Sequence, residues 1–148
     1  MSPAHFSEDE LVERPAIELL AELGWETVNA HDETLGPAGT LGRDSRRDVL
    51  LVHRLRDALR LLNTLVPHGA IEEAIAAIAR DRSAMIPTRA NREIYDLLRD
   101  GYLAVWRDDH GDEQSERIRY IDWNDSTKND WLAANQVWLA GEMYVRRA

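Results

Sequence analysis

At Gly101 the apolar residues of this chain change their period, from the three-and-four spacing of helices to the alternation of strands. Ahead of it, Val49, Leu50, Val52, Leu55, Ala58, Leu59, Leu62 and Leu65 recur at helical spacing with arginines between them, which predicts an amphipathic helix over 47–65. Pro67 and Gly69 end that helix. Ile71, Ala74, Ile75 and Ile78 predict a second over 70–80, packed against the first. Past Pro87, Ile94, Leu97 and Leu98 predict a third over 89–99, stopped by Gly101. Beyond Gly101, Leu103 to Arg107, a polar turn over 108–113 and Arg117 to Asp122 predict a β-hairpin. Both periods in one short chain require helices to cover a sheet, so the expected fold class is mixed α/β.

The flanks fill in the rest. Ser7, followed by Glu8, Asp9 and Glu10, reads as an N-cap with negative charge on a helix's first turn, and predicts a helix over 8–23 that Gly24 terminates. Pro15 allows two starts: a kinked helix, or a helix proper that begins near Glu13 with Pro15 in its first turn. Trp25 to Ala30 reads as a strand. Residues 31–44, with Gly36, Pro37, Gly39 and Gly42, form a turn-rich connection suited to mobility. Residues 131–139 are a strand or a helix, and periodicity leaves that choice open. A length of 148 residues suits one domain: 1–30 first helix and strand, 45–101 a helical insertion, 102–148 the hairpin and a following strand.

Charge and composition remove several functions. With 27 acidic against 18 basic side chains, the net charge of -9 opposes docking on a phosphate backbone. The absence of cysteine excludes a disulfide framework, a thiolate zinc site, an iron-sulfur cluster and a cysteine nucleophile. No stretch has the length of a membrane span, and the acidic Met1 to Glu10 lacks the basic start of a signal peptide, so a soluble cytoplasmic protein with no membrane partner is expected. The histidines at 5, 31, 53, 68 and 110 have no paired spacing for a metal cage, and His31-Asp32 has no nucleophile beside it at an informative spacing.

Arg43, Arg46, Arg47, Arg54, Arg56 and Arg60 form a basic run, but Asp44, Asp48 and Asp57 interleave it, which favours a solvated, salt-bridged helix face over a nucleic-acid contact. Tyr120, Trp123, Trp131, Trp138 and Tyr144 concentrate aromatic surface near the carboxyl end, for packing before base stacking. The glycines of 36–42 lack the lysine of a phosphate-binding loop. For Glu8, Asp9 and Glu10, helix-terminus electrostatics is the better account. For Glu13 the same helix-terminus account applies, and a metal-facing carboxylate stands nearly even with it only through a family resemblance.

Three stretches in order, FSEDELVERPAIELLAELGWE, LNTLVPHGAIEEAIAAIARDRSAMIPTRANREIYDLLRDGY and IRYIDWNDSTKNDWLAANQVWLAGEMYVRR, resemble the amino-terminal nuclease region of the R subunit of type I restriction enzymes. The succession DRSAM, ANREIYDLLRDG and NDWLAANQVWLAGEMYVRR carries most of the likeness. The resemblance implies a RecB-like nuclease of the PD-(D/E)xK class, hence a partial restriction-endonuclease-like domain with a helical insertion. It further implies a large ATP-driven subunit that cleaves double-stranded DNA with magnesium, alongside modification and specificity subunits. In that class the metal binds the scissile phosphate and lowers the pKa of the attacking water.

Glu13 matches the position of an acid near that metal, and is the one catalytic and magnesium-binding candidate transferred. The family's aspartate strand and Glu-x-Lys follow the EMY-x-RR run, so they are expected beyond Ala148; the only lysine here, Lys128, sits in DSTKND. The expectation is therefore that this chain alone binds magnesium and ATP weakly, has slight affinity for DNA and cleaves none. The alternative is a non-enzymatic protein-interaction module built on the aromatic last third.

Overall fold

A computed structural model of the chain describes residues 9–140 and 145–147. The fold is mixed α/β and divides into two compact units, Met1–Leu51 with Asp130–Ala148, and Val52–Asn129. The predicted cap at Ser7 and the acid Glu8 lie outside the described residues.

In the first unit a π-type turn, Asp9–Glu13, leads into α1, Arg14–Glu22. Pro15 occupies the first turn of α1, where its missing N–H forfeits no helical bond; this is the second of the two starts the sequence allows. Gly24, at φ 87°, closes the helix. Its N–H donates to the Ala21 carbonyl at 3.0 Å and that of Trp25 to Leu20 at 3.0 Å, so the last carbonyls of α1 are satisfied as the chain turns.

The strand expected after it is β1, Glu26–Asn29, and its partner is β4, Leu132–Asn135. They run parallel, Glu26 beside Leu132 through Asn29 beside Asn135. The Glu26 N–H donates to the Trp131 carbonyl and the Ala30 N–H to Asn135, extending the ladder at both ends. Trp25 and Trp131 stack with ring centroids 4.9 Å apart. The sequence left the partner of this first strand unassigned, and the parallel pairing supplies it. Its members lie about a hundred residues apart in sequence, and no turn announces such a pairing. The undecided segment 131–139 is strand twice over: β4, then β5, Trp138–Ala140, divided at Gln136 and paired antiparallel with β6, Val145–Arg147.

The second unit holds α2, Val52–Leu62, α3, His68–Ala79, α4, Pro87–Asp100, and the hairpin β2, Tyr102–Arg107, with β3, Glu113–Ile118. Here α2 is shorter than the predicted 47–65. Ser45 and Asp48 close a turn of their own before it, the Ser45 N–H donating to Asp48 Oδ2 at 2.8 Å and the Asp48 N–H to the Ser45 carbonyl at 3.1 Å. Such local side-chain bonds compete with helix. At its other end Asn63 turns the chain away, and Leu65 is left exposed. Both α3 and α4 fall where they were expected.

Leu59, Ala70, Ile71, Ala74, Ile75, Ala104, Ile118 and Tyr120 make one buried cluster between helices and hairpin. Each large aliphatic side chain removed from water there contributes about 1.5–3 kcal/mol. Gly101, at φ 81°, lets α4 pass into β2 against the other strand: a Cβ there would lie 2.6 Å from the Ile118 carbonyl oxygen.

The hairpin also differs from its prediction. Residues 108–112 form the turn, and the polar run 113–118, not 117–122, supplies the second strand. Asp108 fixes this register. Its carboxylate accepts from the N–H groups of His110 and Asp112 at 2.9 and 3.0 Å and from Gln114 Nε2 at 2.8 Å. Period-two burial continues at Ile118, Tyr120 and Asp122 after the ladder has ended. Arg119 already pairs its N–H with the Asn63 side chain at 2.8 Å, so alternation outran the strand. No helix among the described residues is long and apolar enough to cross a membrane.

Candidate functional site

Glu13 is the last residue of the turn before α1 and is half-buried. Asn135 Nδ2 donates to its Oε1 at 2.7 Å, and Gln136 Nε2 donates to both Oε1 and Oε2 at 2.7 Å. These amides stand at the carboxyl end of β4. Asn29, the register partner of Asn135, ends β1 at the same level. Asn29 and Asn135 line a cavity of about 310 Å³ with Arg14, Ile17, Thr27 and Val28. The transferred candidate is thus held where parallel strands end, the edge at which α/β sheets commonly take ligands. Gln136 has φ 56°, and it is the only non-glycine residue at positive φ among those described.

A second polar cluster lies in the same unit. Arg43 and Glu33 are paired with their side chains almost wholly removed from solvent. Arg43 Nε and Nη2 donate to the two Glu33 carboxylate oxygens at 2.7 and 2.6 Å, Nη2 also to the Trp138 carbonyl at 2.6 Å, and Nη1 to that of Asp48 at 3.1 Å. The hydrogen-bonded Glu33 raises the Arg43 pKa above its already high range, against the opposing cost of burial. Around this pair the 31–44 connection closes on itself: Gly36 donates to the Arg43 carbonyl at 2.8 Å, and Thr40 to that of Thr34 at 3.0 Å.

The basic run is therefore divided. Arg43 is buried and structural, which corrects its place on a solvated helix face, and Arg46 and Arg47 precede α2. Arg46 lies over the Trp138 ring at 5.4 Å. Arg60 does sit on the exposed face of α2, 3.9 Å from Asp57, and the half-buried Arg56 pairs with Glu72 at 2.7 Å. Of the aromatic set, Trp131 stacks on Trp25, and the Trp138 indole donates to the His31 carbonyl at 3.2 Å. Tyr120 is buried, its hydroxyl donating to the Ala74 carbonyl at 2.6 Å. Burial raises its pKa. Trp123 is exposed, and Tyr144 lies outside the described residues.

Magnesium prefers several oxygen ligands in octahedral array. Among the described residues no group of three or more His, Cys, Asp or Glu is placed to hold a metal. Glu13 instead receives three amide contacts, so these residues do not make a magnesium site by themselves. Sequence reasoning reached Glu13 through resemblance and missed Asn135, Gln136 and the Arg43–Glu33 pair. A polar Asn-Gln step between the apolar LAA and VWL is the one local mark of the amide pair.

The family described as type I restriction enzyme R protein N terminus matches residues 5–148. Two curated relatives carry names of the same kind. The "Type I restriction enzyme HindI endonuclease subunit" of Haemophilus influenzae is 29% identical over 126 residues, 85% of this chain and 12% of that protein. The "Putative type I restriction enzyme MjaIXP endonuclease subunit" of Methanocaldococcus jannaschii is 26% identical over 133 residues, 90% of this chain and 12% of that protein. No solved structure matches the chain.

Proposed function

The chain belongs to the family of type I restriction enzyme R protein N termini, and from that premise we propose that it forms the amino-terminal scaffold of a restriction subunit's nuclease region. It spans about 12% of the length of the curated relatives it matches, so the activity belongs to the larger protein. That activity is ATP-dependent and magnesium-dependent cleavage of foreign double-stranded DNA, in a cytoplasmic assembly with modification and specificity subunits. The nuclease region is of the PD-(D/E)xK class on a restriction-endonuclease-like fold.

The observation that carries this reading is the placement of Glu13 at the carboxyl ends of β1 and β4, gripped by Asn135 and Gln136. Glu13 is the acid this chain contributes to the nuclease centre. It is one carboxylate, so the chain alone binds magnesium weakly and cleaves no DNA. It hydrolyses no ATP, because its glycine-rich segment lacks the lysine that phosphate loops use.

The test uses the full-length subunit assembled with its modification and specificity subunits on unmodified plasmid. Glu13→Ala lowers cleavage by about tenfold or more while leaving ATP hydrolysis within about twofold. Cleavage at the wild-type rate contradicts the role given to Glu13. Plasmid nicking by the purified 148-residue chain with magnesium and ATP, abolished by Glu13→Ala, contradicts the scaffold reading.

A further inference from the structure

We propose that Gln136, seconded by Asn135, is the positioning residue of the Glu13 carboxylate: a carboxamide clamp that aims the acid across the carboxyl end of the β1–β4 pair. The proposal rests on the reading of Glu13 as the acid of the nuclease region. Two independent features of Gln136 carry it.

The first is the grip itself. A glutamate side chain near a surface is free to rotate about three bonds. Here one amide nitrogen lies 2.7 Å from both carboxylate oxygens, and a second amide lies 2.7 Å from Oε1. Contacts to both oxygens fix the plane of the carboxylate as well as its position. These two donors are neutral amides, so they orient the group without adding a charge of their own. The clamp also joins residues 123 positions apart, tying the start of α1 to the end of β4.

The second feature is the backbone. Gln136 is held at φ 56°, a conformation that a side chain with a Cβ disfavours and that glycine adopts freely. Were the break between β4 and β5 only a turn, glycine would suit it better. The chain keeps a glutamine there, and that glutamine is the residue touching both oxygens of Glu13. Backbone strain of this kind is retained where the side chain it presents has work to do.

Glycine at 136 therefore separates the turn from the clamp. In the assembled restriction enzyme, Gln136→Gly relieves the backbone strain but removes the contacts to both Glu13 oxygens, so the assembly is expected to stay folded, with a melting temperature lowered by no more than a few degrees. Its DNA cleavage is expected to fall about tenfold with ATP hydrolysis retained, because the acid is no longer aimed. Wild-type cleavage by Gln136→Gly, in a background where Glu13→Ala abolishes cleavage, overturns the clamp alone. Wild-type cleavage by Glu13→Ala overturns the reading beneath it and the proposal together. Loss of ATP hydrolysis together with cleavage, with a collapse of the melting temperature, assigns Gln136 to the fold and overturns a positioning role.

The 148-residue chain gives a second readout that needs no activity. The side-chain amide protons of Gln136 should exchange slowly with solvent in the wild type and rapidly in Glu13→Ala. Rapid exchange in the wild type shows that the clamp does not form, and overturns the proposal whatever the enzyme does.

Discussion

Of the eleven buried apolar residues among those described, nine belong to Val52–Asn129, while the unit of Met1–Leu51 and Asp130–Ala148 contributes Ala30 and Ala133. The Val52–Asn129 unit is built as small domains usually are, with Leu59, Ile71 and Ile118 fully buried between helices and hairpin. The other unit is fastened by directional contacts: the Arg43–Glu33 pair, the amides on Glu13 and the Trp25–Trp131 stack. Apolar burial is indifferent to small rotations of the groups involved, whereas hydrogen bonds specify angle as well as distance. If Glu13 has the proposed role, a unit that presents one carboxylate in one orientation gains from the second kind of construction. Its vulnerability is that removing one partner strands the other.

The largest effect is therefore expected at Arg43. Replacing it with leucine leaves the Glu33 carboxylate buried without its guanidinium, and should destabilise the protein by about 3–5 kcal/mol in denaturant titrations. Arg43→Leu with Glu33→Leu should recover much of that loss, since a buried pair is costly to break and cheap to replace. In the apolar unit, Ile71→Ala should cost about 2–4 kcal/mol through lost burial and a residual cavity. Tyr120→Phe leaves the Ala74 carbonyl without its hydroxyl donor, and a loss of about 1–2 kcal/mol is expected in the same titrations.

The smallest effect concerns the hairpin turn. Gln114, and then the turn's N–H groups, hold the Asp108 carboxyl below the ordinary aspartate range. A depressed carboxyl stabilises the fold above its unfolded pKa, and that contribution is lost as pH falls through the folded value. Asp108→Asn should thus lower the melting temperature slightly at neutral pH and flatten its further decline between about pH 4 and pH 2. An unchanged acid profile would remove Asp108 from the account of hairpin register.

What could be read from the chain followed the same division. The ends of α1 and α4 were legible because Pro15, Gly24 and Gly101 act within a turn of their own positions. Two of the helical stretches that pack the core declared themselves by period. The extent of β3 was not legible, because Asp108 sets the register while burial alternates past the ladder to Asp122. The parallel β1–β4 pairing and the Arg43–Glu33 pair were hidden for different reasons. One joins distant strands; the other places an arginine from a charged run inside, where composition puts it outside. Glu13 was reached by resemblance, and its amide partners lie at the far end of the chain.

Amide hydrogen exchange, resolved by residue on the wild-type chain and on Arg43→Leu, tests the contrast between the two units most directly. The account predicts that Arg43→Leu speeds exchange through 26–30, 43–48 and 132–140 while α3 and the β2–β3 hairpin keep their protection. Equal loss of protection in both units would contradict it, since the fastening by Arg43 would then be inseparable from the apolar core.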